Sequence, residues 1–234
     1  MEVQMVLAAI IVGYLIGSIS FARIVARFVS PATDATELGM IPGDQDGTTM
    51  QLASATTIGT KLGSRYGMLV ALLDTLKVLI PSLICKALIP EQPVYLVLAT
   101  AAMIGHIWPV FFGFKGGRGI SAAVGGMLAV DPLGVLLMWL LGFAVGFMVR
   151  SVFVVFMGGV WFFIPWVWFR WHEPIYLAFA IVVNVIFIIA VLPEALLIRK
   201  QKGQETAASF DELMEFTPMG KGLLKMARRM HLYK

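Results

Sequence analysis

Six stretches of this chain, at about residues 3–28, 66–89, 93–112, 132–149, 152–170 and 174–198, are apolar almost throughout. The hydrocarbon core of a bilayer is crossed by about 20 helical residues. In lipid, every backbone N–H and C=O must be satisfied within the segment, so runs of this kind fold as helices. A seventh run, at 119–130, is too short to cross alone and is rich in Gly and Ala. Small residues let such a helix pack closely inside a bundle. Charge agrees with this reading: 14% of residues are Asp, Glu, Lys or Arg, and mean hydropathy is +0.86. A soluble domain needs more charge to solvate its surface. The expected fold is therefore all-α, a polytopic membrane helix bundle with seven transmembrane helices. The N-terminal segment Met1 to Gln4 carries Glu2 and no Lys or Arg, and the first run has no clean small-residue cleavage site, so it reads as an uncleaved span.

Orientation follows from the basic residues. With the N-terminus outside and seven crossings, the cytoplasmic side receives Arg27, Lys61, Arg65, Lys115, Arg118, Arg150, Arg199, Lys200 and Lys202, and the outer side only Lys86 and Arg170. Trp161, Trp166, Trp168 and Trp171 gather near one outer boundary, as an aromatic belt does. The expected organisation is one transmembrane domain, 1–198, interrupted by a cytoplasmic loop at 29–65, and a basic cytoplasmic tail, 199–234. A loop of that length has a function or hides a short helix. Within the tail, 221–232 spells KGLLKMARRMHL, with Leu223, Leu224, Ala227 and Met230 beside Lys221, Lys225, Arg228 and Arg229. Two readings stand for it: an amphipathic helix on anionic membrane lipids, or a solvated tail.

The net charge of +4 reports this orientation rather than nucleic-acid binding, because no basic run carries interleaved aromatics. The single cysteine, Cys85, excludes an intramolecular disulfide, and neither it nor His172 and His231 has partners that suggest a metal site. No cofactor is implied.

The stretch that carries chemistry is GHIWPVFFGFKGGRGIS, residues 105–121. Lys115, Gly116, Gly117, Arg118 and Gly119 precede a helix start that includes Ser121. Glycines let backbone amides approach an anion, and a helix N-terminus adds free N–H groups and a favourable dipole. Lys115 and Arg118 bring charge, and Arg can hold phosphate in a bidentate fork. The loop reads as a phosphate cradle at the cytoplasmic surface; the alternative is a Gly turn with positive-inside anchors. It is not a Walker A loop, whose spacing is absent. His106 has two readings, a functional intramembrane His or a core His bonded to a neighbouring helix carbonyl. Asp74 and Lys77 lie three apart on one helical face and read as an ion pair inside the bundle. Ser18 either bonds its own helix or presents a hydroxyl to the site. Arg23 and Arg27 are expected to snorkel to the inner interface.

These residues resemble the second signature of the bacterial membrane glycerol-3-phosphate acyltransferases that use acyl phosphate, the PlsY family, whose pattern reads GH-x-x-PVF-x-x-FKGGKG. Arg118 stands where that pattern has Lys. Gly17-Ser18-Ile19 is similar to the GSIP of the first span, with Ser20 in place of Pro. GMLVALLDTLK, residues 67–77, resembles the second span, and Arg199 with Gly203-Gln204-Glu205 resembles the close of the third signature. The resemblance covers about residues 10–205. It implies transfer of an acyl chain from acyl phosphate to glycerol 3-phosphate, giving lysophosphatidic acid for phospholipid synthesis in a bacterial inner membrane. It further implies Lys115, Arg118, His106 and Ser18 as catalytic residues. Gly116, Gly117, Gly119, Ser121, Thr56, Thr57, Lys61, Arg199 and Glu205 would hold substrate.

The chain also departs from the family. Where GSGN-x-GATN is expected, residues 49–57 read TMQLASATT, with Thr57 in place of Asn and Thr60-Lys61 in place of Arg. Where an RH pair and an Asn are expected, Leu192, Pro193 and Leu196 stand. A weakened enzyme is one expectation. A non-catalytic relative acting beside an active homologous acyltransferase is the alternative. A transporter is disfavoured, since paired repeats and mid-membrane charges are few.

Overall fold

Each of the seven apolar runs is helical, and every regular element among the described residues is a helix. The structure is a computed structural model that describes residues 2–31, 53–151, 154–201, 214 and 218–229. Its helices are α1 (Val3–Gly17), α2 (Phe21–Val29), α3 (Ala55–Lys61), α4 (Ser64–Leu88), α5 (Val94–Ile107), α6 (Ile120–Val130), α7 (Pro132–Met148), α8 (Gly159–Trp171), α9 (Pro174–Gln201) and α10 (Pro218–Arg229). Four segments are long and apolar enough to cross a membrane: Val3–Val29, Ser64–Leu88, Val94–Phe112 and Pro174–Pro193; α6 and α7 are apolar but shorter. Large apolar side chains lie exposed along them, among them Leu7, Ile11, Leu72, Ile84, Leu140, Val185 and Ile189. In water such a surface would aggregate, and in hydrocarbon it is at home.

α1 lies directly on α5. A Cβ placed on Gly17 would run into the backbone of Ala102, and one on Gly105 would strike the Tyr14 carbonyl, so only hydrogen fits at either site. The Tyr14 hydroxyl closes the same seam by donating to the Trp108 carbonyl at 2.8 Å. α5, α6, α8 and α9 share the main core, which includes Ala99, Ala102, Met127, Phe163, Ala180 and Phe187.

The first apolar run is not the unbroken helix its sequence suggests. It stops at Gly17 and restarts at Phe21. The Ser18 hydroxyl donates to Tyr14 O at 2.8 Å and the Ile19 amide to Ile16 O at 3.2 Å, which tightens the last turn of α1. The Ile19 carbonyl, released from the helical ladder, accepts from the Lys77 ammonium at 2.6 Å. A break inside an apolar run is tolerated only where another element satisfies the freed group, and α4 supplies it.

The described part of the 29–65 loop contains the short helix its length suggested. Ser54 caps α3 by accepting from the Thr57 amide at 3.2 Å. α3 and α2 enclose a small second core of Ala22, Val25, Ala26, Ala53, Ile58 and Val70. At the opposite end, Asp131 caps α7 through the amides of Leu133 (2.9 Å) and Gly134 (3.2 Å). Its other oxygen accepts from Trp166 Nε1 at 3.2 Å, with Arg170 Nε at 3.8 Å, which ties the Trp-rich α8 to the start of α7. α10 lays Leu224 against a cluster with Val155 and Met214, flanked by Phe143 and Phe147 of α7. Lys225, Arg228 and Arg229 on the same helix are exposed.

Candidate functional site

The loop between α5 and α6 is built around the end of α5. After Trp108 the chain makes a single 3-10 turn, Val110–Phe112, and then reverses through two residues with positive φ, Gly113 (59°) and Phe114 (61°). It returns alongside α5, so that the Gly116 amide donates to Ile107 O at 3.2 Å and the Gly117 amide to His106 O at 3.1 Å. This corrects the expectation that the amides of 116 and 117 face an anion: they are spent on α5. The glycines are needed for a different reason. A Cβ on Gly116 would collide with the His106 carbonyl, and one on Gly117 would lie 2.5 Å from His106 Nε2. Gly119, with φ of 89°, opens α6 without a side-chain cap, so the first amides of that helix are the loop's remaining donors.

His106 is not bonded to a helix carbonyl, as one sequence reading had it. Its Nδ1 lies 3.0 Å from Lys77 Nζ and 3.5 Å from Asp74 Oδ1, and all three residues are buried. The Asp74–Lys77 ion pair expected from their spacing is present at 2.8 Å. The Lys77 ammonium thus donates to Ile19 O, lies beside His106 Nδ1 and pairs ionically with Asp74 Oδ1, an oxygen that has no hydrogen-bond partner of its own.

Residues of the 29–65 loop converge on the same place. The Ala53 amide donates to Gly116 O at 3.2 Å, and Arg118 Nη1 reaches Ser54 Oγ at 3.5 Å. Ser54 Oγ lies 3.0 Å from Thr57 Oγ1, so Arg118, Ser54 and Thr57 form one polar edge. Lys115 is exposed, as are Thr56 and Lys61 on α3, while Ser121 sits half-buried in the first turn of α6. Ser18 is fully buried with its hydroxyl committed to Tyr14 O. Arg199 lies on α9 with its side chain outside the described residues, and Glu205 is outside them altogether, as are 32–52 of the loop. Leu192 and Leu196 are 48% and 55% exposed on the outer face of α9.

Sequence reasoning missed two contributors. Arg23, expected only to snorkel, donates from Nη2 to Lys115 O at 2.7 Å and from Nη1 to Ser20 Oγ at 3.4 Å, and stacks on Phe112. Ser54 was hidden in a Thr- and Ser-rich stretch; the signal that could have found it is its position as N-cap, just before a helical run.

The fold and this loop define an integral membrane helix bundle with a cationic, glycine-shaped loop at the end of one span. Residues 7–198 match the family described as glycerol-3-phosphate acyltransferase. The chain belongs to that family. Its relatives include a glycerol-3-phosphate acyltransferase of Aquifex aeolicus, 38% identical over 124 residues, which are 53% of this chain and 58% of that protein. The match therefore spans little more than half of the Aquifex protein. Another, from Neisseria meningitidis, is 37% identical over 153 residues, 62% of this chain and 70% of that protein. Among solved structures, crystal forms of PlsY, an integral membrane glycerol 3-phosphate acyltransferase, are similar in its glycerol 3-phosphate and lysophosphatidic acid forms. They share 28% identity, cover 89% of this chain and 98% of PlsY, and give TM-scores of 0.72 and 0.71.

Proposed function

We propose that this protein is a membrane glycerol-3-phosphate acyltransferase that moves an acyl chain from acyl phosphate to glycerol 3-phosphate. The observation that carries the reading is the loop 115–119, which lies at the end of a span with Lys115 exposed and Arg118 joined to Ser54. In this reaction the acceptor hydroxyl attacks the acyl carbon. A new ester C–O bond forms, the mixed-anhydride C–O bond breaks, and inorganic phosphate leaves with the electron pair. The hydroxyl proton passes to the leaving phosphate or to water. The donor is already activated, so no enzyme nucleophile is required, and positioning the two substrates supplies much of the rate. Lys115, Arg118 and the first amides of α6 offset charge on the phosphate. Ser121, Thr56, Thr57, Lys61, Arg199 and Glu205 are the further substrate contacts of this reading.

The same reading places the chain in a bacterial inner membrane, with seven crossings, N-terminus outside and the tail beyond 198 in the cytoplasm. Its support is positional. Lys86 Nζ donates to the Ala129 carbonyl at 2.9 Å, so the ends of α4 and α6 meet on the side opposite the loop at 115–119. Exposed basic residues of α10 face anionic lipid headgroups. The deciding experiment is incubation of purified protein with acyl phosphate and glycerol 3-phosphate. Lysophosphatidic acid and phosphate should form in equal amounts, and bound ligand without turnover would favour a non-catalytic relative.

A further inference from the structure

We propose that Arg23 is a positioning residue that aims Lys115, joining the start of α2 to the main chain of the loop. The proposal rests on the reading of 115–119 as a phosphate-binding loop. Arg23 stands in the first turn of α2, immediately after the break at residues 18–20. Its base is fixed, because Ala22, Val25 and Ala26 are buried against Ile58 and Val70. From there the guanidinium makes three contacts at once. Nη2 donates to the Lys115 carbonyl at 2.7 Å, Nη1 donates to Ser20 Oγ at 3.4 Å, and Cζ lies 4.2 Å from the centre of the Phe112 ring.

The part of the loop that Arg23 holds has reason to turn without it. Phe114 has φ of 61°, in the region that favours glycine, and relief of that strain would rotate the following peptide. The Lys115 amide donates to Phe112 O at 3.2 Å, which fixes one side of the residue. Arg23 fixes the other, through the carbonyl. With both peptide planes set, the Cα–Cβ bond of Lys115 has one direction. The contacts of Gly116 and Gly117 with α5 hold the return strand of the loop, while Arg23 holds its tip. Only a planar fork can reach two acceptors while lying on a ring, so Lys at this position would not substitute.

The test uses purified full-length protein assayed with acyl phosphate and glycerol 3-phosphate, with thermal midpoints measured alongside. Arg23→Gln should keep the parental midpoint and raise KM for a phosphate-bearing substrate by about 10- to 100-fold, the scale of a misplaced binding group. Arg23→Lys should show the same loss at a parental midpoint, which keeps the proposal testable if the Gln variant folds poorly. Because Arg23 acts through Lys115, the double variant Arg23→Gln/Lys115→Ala should be no worse than Lys115→Ala alone. A double variant impaired by the full product of the two single effects would overturn the proposal, as would full rescue by Arg23→Lys. Parental kinetics for Lys115→Ala would instead sink the phosphate-loop reading itself. An impaired Lys115→Ala beside a parental Arg23→Gln would overturn the positioning role alone.

Discussion

Lys77 Nζ lies 3.0 Å from Nδ1 of His106, a residue 29 positions away on the neighbouring helix. This contact links the break in the first span to the loop after α5, since the same ammonium holds Ile19 O and the same imidazole abuts Gly117. Removing the cation strands the Asp74 carboxylate in a buried site. Lys77→Met should therefore destabilise the protein by about 3–5 kcal/mol. The double variant Asp74→Leu/Lys77→Met should be milder, because no uncompensated charge remains. Detergent-solubilised unfolding midpoints decide the matter, and a double variant less stable than Lys77→Met would contradict it.

Gly117→Val tests the seam between the loop and α5. The new Cβ would lie 2.5 Å from His106 Nε2, and the buried imidazole is held by Lys77, so the loop must shift instead. A strain of about 1–3 kcal/mol is expected, together with loss of activity. Gly222→Ala, where a Cβ meets nothing within 4 Å, should be neutral. Matching activity profiles for the two variants would show that the seam is loose.

Reporter fusions test the topology. A cytoplasmic reporter should be active after Lys115 and after Arg199, and an external one after Pro90. Cytoplasmic signal at Pro90 is incompatible with seven crossings from an external N-terminus.

Turnover should fall below that of a relative with intact first and third signatures. Pro193 and Leu196 offer no hydrogen-bonding side-chain group where the signature has His and Asn, and both are exposed on α9. Losing one positioned donor at a reacting centre lowers rate by about 100–1,000-fold. Assaying both proteins at saturating acyl phosphate and glycerol 3-phosphate measures the ratio. Equal rates would mean that Ser54, Thr57 and Arg118 rebuild what the altered signatures omit.

What the sequence made legible was what local spacing decides. Apolar length located the apolar helical runs, and the three-residue spacing of Asp74 and Lys77 announced their ion pair. What it concealed was decided by distant partners. Ser18 and Ser20 sit comfortably in a helix, so the break between them became readable only once Lys77, 58 residues from Ile19, was seen to take the freed carbonyl. Arg23 looks like any interfacial arginine until the loop 92 residues later arrives beside it. The amides of Gly116 and Gly117 looked available because nothing local predicts that α5 will claim them.

The seam between α1 and α5 also has a bearing on synthesis. Gly13 and Gly17 have no room for a Cβ because α5 fills the space, and Tyr14 is bonded to a residue 94 positions further along. A ribosome adding about 5–20 residues per second needs roughly 5–19 s to make that stretch. For that interval the first helix waits in the bilayer with its glycine face unmatched, open to whatever small-residue helix is nearby. The order in which the translocon releases the spans, and how long it shelters the first, therefore bears on whether this protein assembles.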